Sequence, residues 1–159
     1  MISKNANGEY ALFKQGALIG FAPVKYINSI RVVEKMYDKI IEMQQAAQHD
    51  SVHLTLASGL RSWDEQVQIR MQYVIDKTKV HDMGYILNQP SEKFSPRAAR
   101  PGYSNHQNGQ AYDFSVQYYP PGYAWLVKNA HNFGFIRTVQ TEVWHWEYIP
   151  GADQFCFYS

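Results

Sequence analysis

Hydrophobic positions recur at helical spacing in two long stretches of the chain. The first runs from about Val24 to Gln48 and predicts a long amphipathic helix with one solvated face. The second follows Ser62-Trp63-Asp64-Glu65, which has the residue types of a capping box, so a helix is predicted to begin there. Its apolar positions are Val67, Met71, Val74 and Ile75. A short helix is also predicted over Tyr123 to Asn132.

Other stretches have strand character. Residues Val52 to Ala57, Ala111 to Val116 and Val143 to Ile149 predict strands, and Glu9 to Phe21 predicts a short strand pair or a wrapped N-terminal arm. Helices and strands are mixed without regular βαβ alternation, which favours an α+β fold with a small antiparallel sheet flanked by helices. We expect one structural domain overall, in which an arm and long helix (residues 1–50) pack on a core (residues 51–159).

The composition of the chain excludes several classes of function. The 159 residues are 45% hydrophobic and 15% aromatic, and the formal net charge of +1 gives no field that would capture nucleic acid. The single cysteine, Cys156, excludes an internal disulfide and an all-cysteine zinc site. No window approaches the roughly 20 apolar residues of a membrane span. The polar residues 1–8 do not look like a signal peptide, so we expect synthesis in the cytoplasm without one.

Two histidines lie in segments suited to metal chemistry. His106 is in a turn rich in glycine and asparagine, Asp113 follows one loop later on a predicted strand, and His145 is on the last predicted strand. Two imidazoles and a carboxylate are suitable ligands for Zn²⁺, and three protein ligands leave the fourth tetrahedral position for water. These residues therefore predict a catalytic zinc site.

A further carboxylate precedes the second histidine. Glu142 is three residues before His145, so on a regular strand the two side chains would point to opposite faces. For both to face one site, Glu142 must lie in the turn that enters the strand or at a bulge. A carboxylate beside an activated water would act as the general base of a hydrolase.

These motifs resemble a known family. The pattern Ser104-x-His106-x-x-Gly109-x-Ala111-x-Asp113, followed by Glu142-x-Trp144-His145, is similar to the signature of the zinc D-alanyl-D-alanine carboxypeptidases of the VanY type. Their wider clan includes D-alanyl-D-alanine dipeptidases, phage L-alanyl-D-glutamate endopeptidases and hedgehog domains. The upstream segment Ser58-Gly59-Leu60-Arg61-Ser62, with Gln66 after it, also resembles this family.

The resemblance implies a role for each matching residue. His106, Asp113 and His145 would be the zinc ligands of a peptidase core over residues 51–159, and Glu142 would be the catalytic base. Arg61 would bind the substrate carboxylate or stabilise the oxyanion, for which a guanidinium is well shaped. Ser104 and Gln66 would form hydrogen bonds to substrate.

The expected activity is therefore hydrolysis of a bacterial peptidoglycan stem peptide, with release of a terminal D-alanine. An L-alanyl-D-glutamate endopeptidase, acting as an endolysin or an exported wall-degrading toxin, is the alternative, and a non-catalytic zinc-binding domain is a remote one. We expect a monomer that acts at the cell wall or periplasm, or is exported by another route. An inhibitor or immunity protein as a further partner is left open.

The longest stretch without periodicity separates Arg61 from His106. It spans Asp76 to Tyr103 and carries five basic residues, Lys77, Lys79, Lys93, Arg97 and Arg100. Loops of this length in small domains are often functional, so it is predicted to form a lid or a wall of the substrate site. A disordered surface insertion is the alternative.

Overall fold

The computed structural model describes residues 2–79, 82–88 and 98–151. The strands are β1 (Tyr10–Lys14), β2 (Ala17–Ala22), β3 (Val24–Ile27), β4 (Ile30–Val33), β5 (Leu56–Ser58), β6 (Ala111–Phe114), β7 (Phe135–Arg137) and β8 (His145–Tyr148). The helices are α1 (Glu34–His49), α2 (Trp63–Thr78), α3 (Met83–Asn88) and α4 (Pro120–Asn129), followed by a 3₁₀ turn over Ala130–Phe133. Short antiparallel sheets combined with helices confirm the α+β class.

Two compact units divide the chain. The first unit contains residues 1–23 and 61–108, and the second contains residues 24–60 and 109–159. The division of the chain into an arm and a core stays a prediction. None of the helices among the residues that the structure describes has the length and apolar character needed to cross a membrane.

The predicted helix over Val24 to Gln48 is wrong in its first ten residues. These residues form the antiparallel hairpin β3–β4, and the helix begins only at Glu34. The turn residues Asn28 and Ser29 both have positive φ (47° and 70°), as a two-residue hairpin turn of the favoured hand requires. The β-branched residues on either side of this turn favour strands and mimic helical spacing over so short a stretch.

The first unit combines the hairpin β1–β2 with the helices α2 and α3. The capping box at the start of α2 is confirmed, since the Ser62 side chain accepts a hydrogen bond from the Glu65 backbone and the Glu65 side chain accepts one from the Ser62 backbone. Phe13 of β1 packs against Trp63 with ring centroids 5.0 Å apart. This contact anchors the start of α2, directly after Arg61, on the hairpin.

The second unit contains the main sheet, which has the antiparallel order β5-β6-β8-β7. Helix α1 contributes four buried apolar side chains to this unit: Met36, Ile40, Met43 and Ala47. The predicted strands near residues 52–57, 111–116 and 143–149 correspond to the shorter strands β5, β6 and β8. The three-residue strand β7 was not predicted, because a strand of three residues contains too few alternations to be recognised.

The predicted lid over residues 76–103 lies partly outside the described residues, which lack 80, 81 and 89–97. Within it, residues 83–88 form helix α3 where a loop was expected. Arg100 stacks on Tyr103, with the guanidinium carbon 3.9 Å from the ring centroid. The role of this segment as a lid or substrate wall stays a prediction.

Candidate functional site

Two neighbouring strands of the main sheet bring Asp113 and His145 together. Asp113 of β6 lies directly opposite His145 of β8, and paired residues on antiparallel strands present their side chains on one face. The Oδ1 atom of Asp113 is 3.2 Å from Nδ1 of His145. Both residues are buried, at 8% and 7% exposure, so their polar atoms meet in a region of low solvent access.

Glu142 approaches the same nitrogen of the His145 ring. It lies in the turn that precedes β8, where its backbone carbonyl accepts a hydrogen bond from the His145 amide, at 3.3 Å. This turn lets the two side chains face one point in spite of their three-residue spacing. The Oε2 atom of Glu142 is 3.6 Å from Nδ1 of His145, and Glu142 is itself buried.

A third buried carboxylate lies on the other side of the imidazole. Oε2 of Glu147 is 2.8 Å from Nε2 of His145, and it also accepts a hydrogen bond of 2.6 Å from the Thr138 hydroxyl. Glu147 was not among the predicted site residues. Its spacing of two from His145, which places both on one face of a strand, is the signal that could have identified it.

The carboxylates set the protonation of His145. Burial by itself lowers the pKa of this imidazole, but the hydrogen bonds and negative charges of Asp113 and Glu147 outweigh burial and raise the pKa to about 9. A cation is therefore favoured at the centre of these buried acids, since buried charges are ordinarily paired or bound to metal.

His106 is held by a tight loop in the first unit. Gly102 has a φ of +90° and donates its backbone N–H to Oε1 of the buried Gln107, at 2.7 Å. The His106 amide donates to the Ser104 hydroxyl at 3.2 Å, and the His106 carbonyl accepts from the Arg61 amide at 3.0 Å. These bonds order the loop around His106, whose exposure is only 3%.

Gln66 lies beneath Arg61 on α2. Gln66 is fully buried, and its Nε2 donates to the Ala99 carbonyl at 2.8 Å. Its Oε1 accepts from Nη1 of Arg61 at 3.5 Å, which is a long contact. The Gln66 side chain is therefore held mainly by its hydrogen bond to the Ala99 carbonyl, and its contact with the half-buried Arg61 is weak.

Two of these residues, Asp113 and His145, form a pair of candidate metal ligands within the second unit, each offering one ligand atom. The assignment of His106, in the first unit, as the third ligand stays a prediction. The nitrogen–oxygen donor set suits Zn²⁺. The 3.2 Å between Asp113 Oδ1 and His145 Nδ1 also matches neighbouring ligands of a tetrahedral ion, roughly 3.3 Å apart when each bond is about 2.0–2.1 Å.

A cavity of about 500 Å³ opens beside Asp113 in the second unit. Its walls are Ala57, Asp113, Phe114, Ser115, Gln117, Tyr118, Tyr119 and Trp144. Clefts of this size with aromatic walls and a few polar groups are typical of sites for small or extended ligands. Asp113 thus contacts His145 and also lines this cavity.

Known proteins that are similar to this chain identify its family. The family model of VanY, described as D-alanyl-D-alanine carboxypeptidase, matches residues 29–151. The chain belongs to the VanY family. A D-alanyl-D-alanine carboxypeptidase of Enterococcus faecalis is 31% identical over 137 residues, which cover 77% of this chain. The chain spans half the length of that curated relative.

Solved structures of VanY enzymes share the fold. A mutant of the vancomycin-resistance D,D-pentapeptidase VanY, in complex with Zn(II), is 25% identical, with a TM-score of 0.71 and 90% of each chain covered. VanYB in complex with D-alanine-D-alanine is 25% identical, with a TM-score of 0.68 over 87% of this chain and 84% of that one. The LD-carboxypeptidase LdcB, at 24% identity and a TM-score of 0.62, shares the fold over 82% of this chain and 65% of that one.

The VanY resemblance stated from the sequence is thus confirmed, whereas the individual roles of the site residues stay predictions. In the second unit, the carboxylates of Asp113 and Glu142 both approach Nδ1 of the His145 imidazole. In the first unit, Arg61 and Gln66 are in contact. Ser104 is hydrogen-bonded to the backbone of the loop that carries His106.

Proposed function

We propose that this protein is a zinc-dependent D-alanyl-D-alanine carboxypeptidase that acts on the peptidoglycan stem peptide. The observation that carries the proposal is the approach of two buried carboxylates, Asp113 at 3.2 Å and Glu142 at 3.6 Å, to Nδ1 of His145. Membership of the VanY family supports the same activity.

The metal would be held by one nitrogen of each histidine and a carboxylate oxygen of Asp113. The related VanY structure in complex with Zn(II) supports zinc as the metal. Bound there, Zn²⁺ would act as a Lewis acid that polarises the scissile carbonyl and lowers the pKa of the attacking water to about 7.

Glu142 is proposed as the general base. Its carboxylate would accept a proton from the attacking water and then deliver this proton to the nitrogen of the departing D-alanine. Burial favours this role, because a carboxylate with few competing waters is a stronger hydrogen-bond acceptor towards the water it activates.

Arg61 is proposed to bind the terminal carboxylate of the substrate. Its guanidinium can form two parallel hydrogen bonds with a carboxylate, which would select a peptide with a free C-terminus. The complex of VanYB with D-alanine-D-alanine supports a substrate of this kind. Ser104 is proposed as a hydrogen-bonding group on the substrate side.

Action on the stem peptide would take place at the cell wall. The stem peptide is the partner that this function requires. The monomeric state stays a prediction, which sedimentation analysis would test. An inhibitor or immunity protein as a further partner also stays a prediction.

Glu142→Gln tests the mechanism. The zinc-loaded variant should keep the metal and lose about 10²–10⁴-fold in kcat on a synthetic pentapeptide stem ending in D-alanyl-D-alanine, because the base is removed while the ligands remain. Glu42→Gln, at an exposed position of α1, removes the same charge and should leave kcat unchanged. An unchanged kcat in zinc-bound Glu142→Gln would contradict the mechanism.

Mass spectrometry of the products identifies the bond that is cut. Loss of one alanine from the pentapeptide is expected. Cleavage between L-alanine and D-glutamate would instead indicate the endopeptidase, and zinc binding without any turnover would indicate a recognition domain. Chelation of the metal should abolish product formation, and added zinc should restore it.

A further inference from the structure

The carboxylate behind His145 has no role in the mechanism above. Glu147 follows His145 by two residues on β8, so both side chains are on the same face of the strand. Glu147 is buried at 5% exposure, and its Oε2 lies 2.8 Å from Nε2 of His145. This is the ring nitrogen that points away from Asp113 and Glu142.

Thr138 fixes the position of this carboxylate. Its hydroxyl donates to the same Oε2 atom at 2.6 Å, and Thr138 directly follows β7. The pairing of Ile136 with Glu147 across β7 and β8 holds these groups in register. Pairing of β7 with β8 thus places the Thr138 hydroxyl next to Glu147, whose Oε2 atom contacts both Thr138 and His145.

A buried carboxylate in this position determines which ring nitrogen carries the proton. An ionised carboxylate can only accept, so the short contact requires a proton on Nε2 of His145. When the ring is neutral, as a metal ligand must be, the lone pair is then at Nδ1, which is the atom 3.2 Å from Asp113. Carboxylates that accept from the second nitrogen of a metal-binding histidine orient the ring and increase its basicity as a ligand.

We propose that Glu147 is a positioning residue that holds His145 as the Nε2–H tautomer, so that Nδ1 faces the metal, and that Thr138 holds Glu147 in place. This inference rests on the proposed zinc-dependent function. It adds a residue that contacts neither substrate nor metal but sets the affinity for zinc.

Zinc affinity, measured by competition with a chelator, tests the inference without reference to turnover. Glu147→Leu should weaken zinc binding about 10–100-fold, and the near-isosteric Glu147→Gln should weaken it by roughly 10-fold. Thr138→Val should cause a smaller loss, because the carboxylate remains but is less constrained. Long-range ¹H–¹⁵N NMR spectra of the zinc-loaded protein should show the His145 proton on Nε2.

Two control variants separate positioning from stability and charge. Glu42→Gln removes an exposed carboxylate from the same unit, and Leu126→Ala destabilises that unit at a buried position of α4. Both should bind zinc as tightly as the wild type. If Glu147→Leu or Glu147→Gln lowers only the melting temperature and keeps wild-type zinc affinity, Glu147 is merely structural and the inference is overturned.

The outcomes distinguish this inference from the proposed function. A wild-type protein that does not bind zinc would overturn both. A wild type that binds zinc and releases D-alanine, together with Glu147 variants of unchanged affinity, would overturn the inference alone. A proton on Nδ1 in the zinc-loaded protein would also overturn it.

Discussion

Replacement of Gln66 by leucine separates two roles for this residue. Gln66 is fully buried on α2, and its amide contacts both the Ala99 carbonyl, at 2.8 Å, and Nη1 of Arg61, at 3.5 Å. Leucine has a similar volume and removes both contacts without leaving a large cavity. If Gln66 acts by holding Arg61 rather than by contacting the substrate, the variant should lower Tm clearly and kcat/KM only slightly.

The two distances determine the expected magnitudes. Loss of the 2.8 Å bond leaves the Ala99 carbonyl without its buried donor, which costs about 1–2 kcal/mol of unfolding free energy. For a chain of this size, that cost corresponds to a fall in Tm of about 2–8 °C. The 3.5 Å contact is worth less than about 1 kcal/mol, so kcat/KM should fall by less than roughly 5-fold.

The assay compares three variants on a stem peptide with a free C-terminal carboxylate. Arg61→Ala removes charge-assisted hydrogen bonds to the carboxylate and should lower kcat/KM by about 10–100-fold. Gln66→Leu should stay within roughly 5-fold of the wild type. Gln68→Leu, at an exposed position of the same helix, is the matched control and should change neither Tm nor kcat/KM.

A different ranking would refute this reasoning. If Gln66→Leu lost as much kcat/KM as Arg61→Ala while its Tm stayed at the wild-type value, Gln66 would contact the substrate directly. The predicted hydrogen bond from Gln66 to substrate would then stand, and its role as a support for Arg61 would be wrong.

Two further predictions concern stability. Ser62→Ala breaks the capping box of α2 and should lower the unfolding free energy by about 1 kcal/mol; an unchanged midpoint in thermal unfolding would contradict this. In the metal-free protein, the pKa of His145 is raised from 6.5 to about 9. The protonated imidazole therefore contributes to the free energy of unfolding in full below pH 6.5, and this contribution is lost as the pH rises through 9. The Tm of the metal-free protein should therefore fall over this interval, and a rising Tm would show that the carboxylates do not hold the proton.

Local signals predicted those parts of the fold whose stabilisation is local. The capping box of α2 uses only Ser62 and Glu65, so the two residue types and their spacing were sufficient. The hairpin at residues 24–33 was missed because its apolar residues fit helical and strand periodicity equally over ten positions. Pairing between β3 and β4 decided between them, and the positive φ values at Asn28 and Ser29 depend on that pairing.

The candidate site shows the same division. The candidate ligands His106, Asp113 and His145 could be predicted from the sequence because few types of side chain bind zinc. Glu147 was missed because a glutamate on a strand is ordinarily solvent-exposed, whereas here the side chain is buried in contact with both His145 and Thr138.

The amino-acid order by itself determined the α+β class, the capped helix α2 and the types of side chain available for metal chemistry, since propensity, capping and donor chemistry act over a few residues. The tertiary structure alone decided which nitrogen of His145 faces Asp113 and which carboxylates surround the ring. Those relations depend on the order and register of β6, β7 and β8, which arise from pairing between segments distant in the chain.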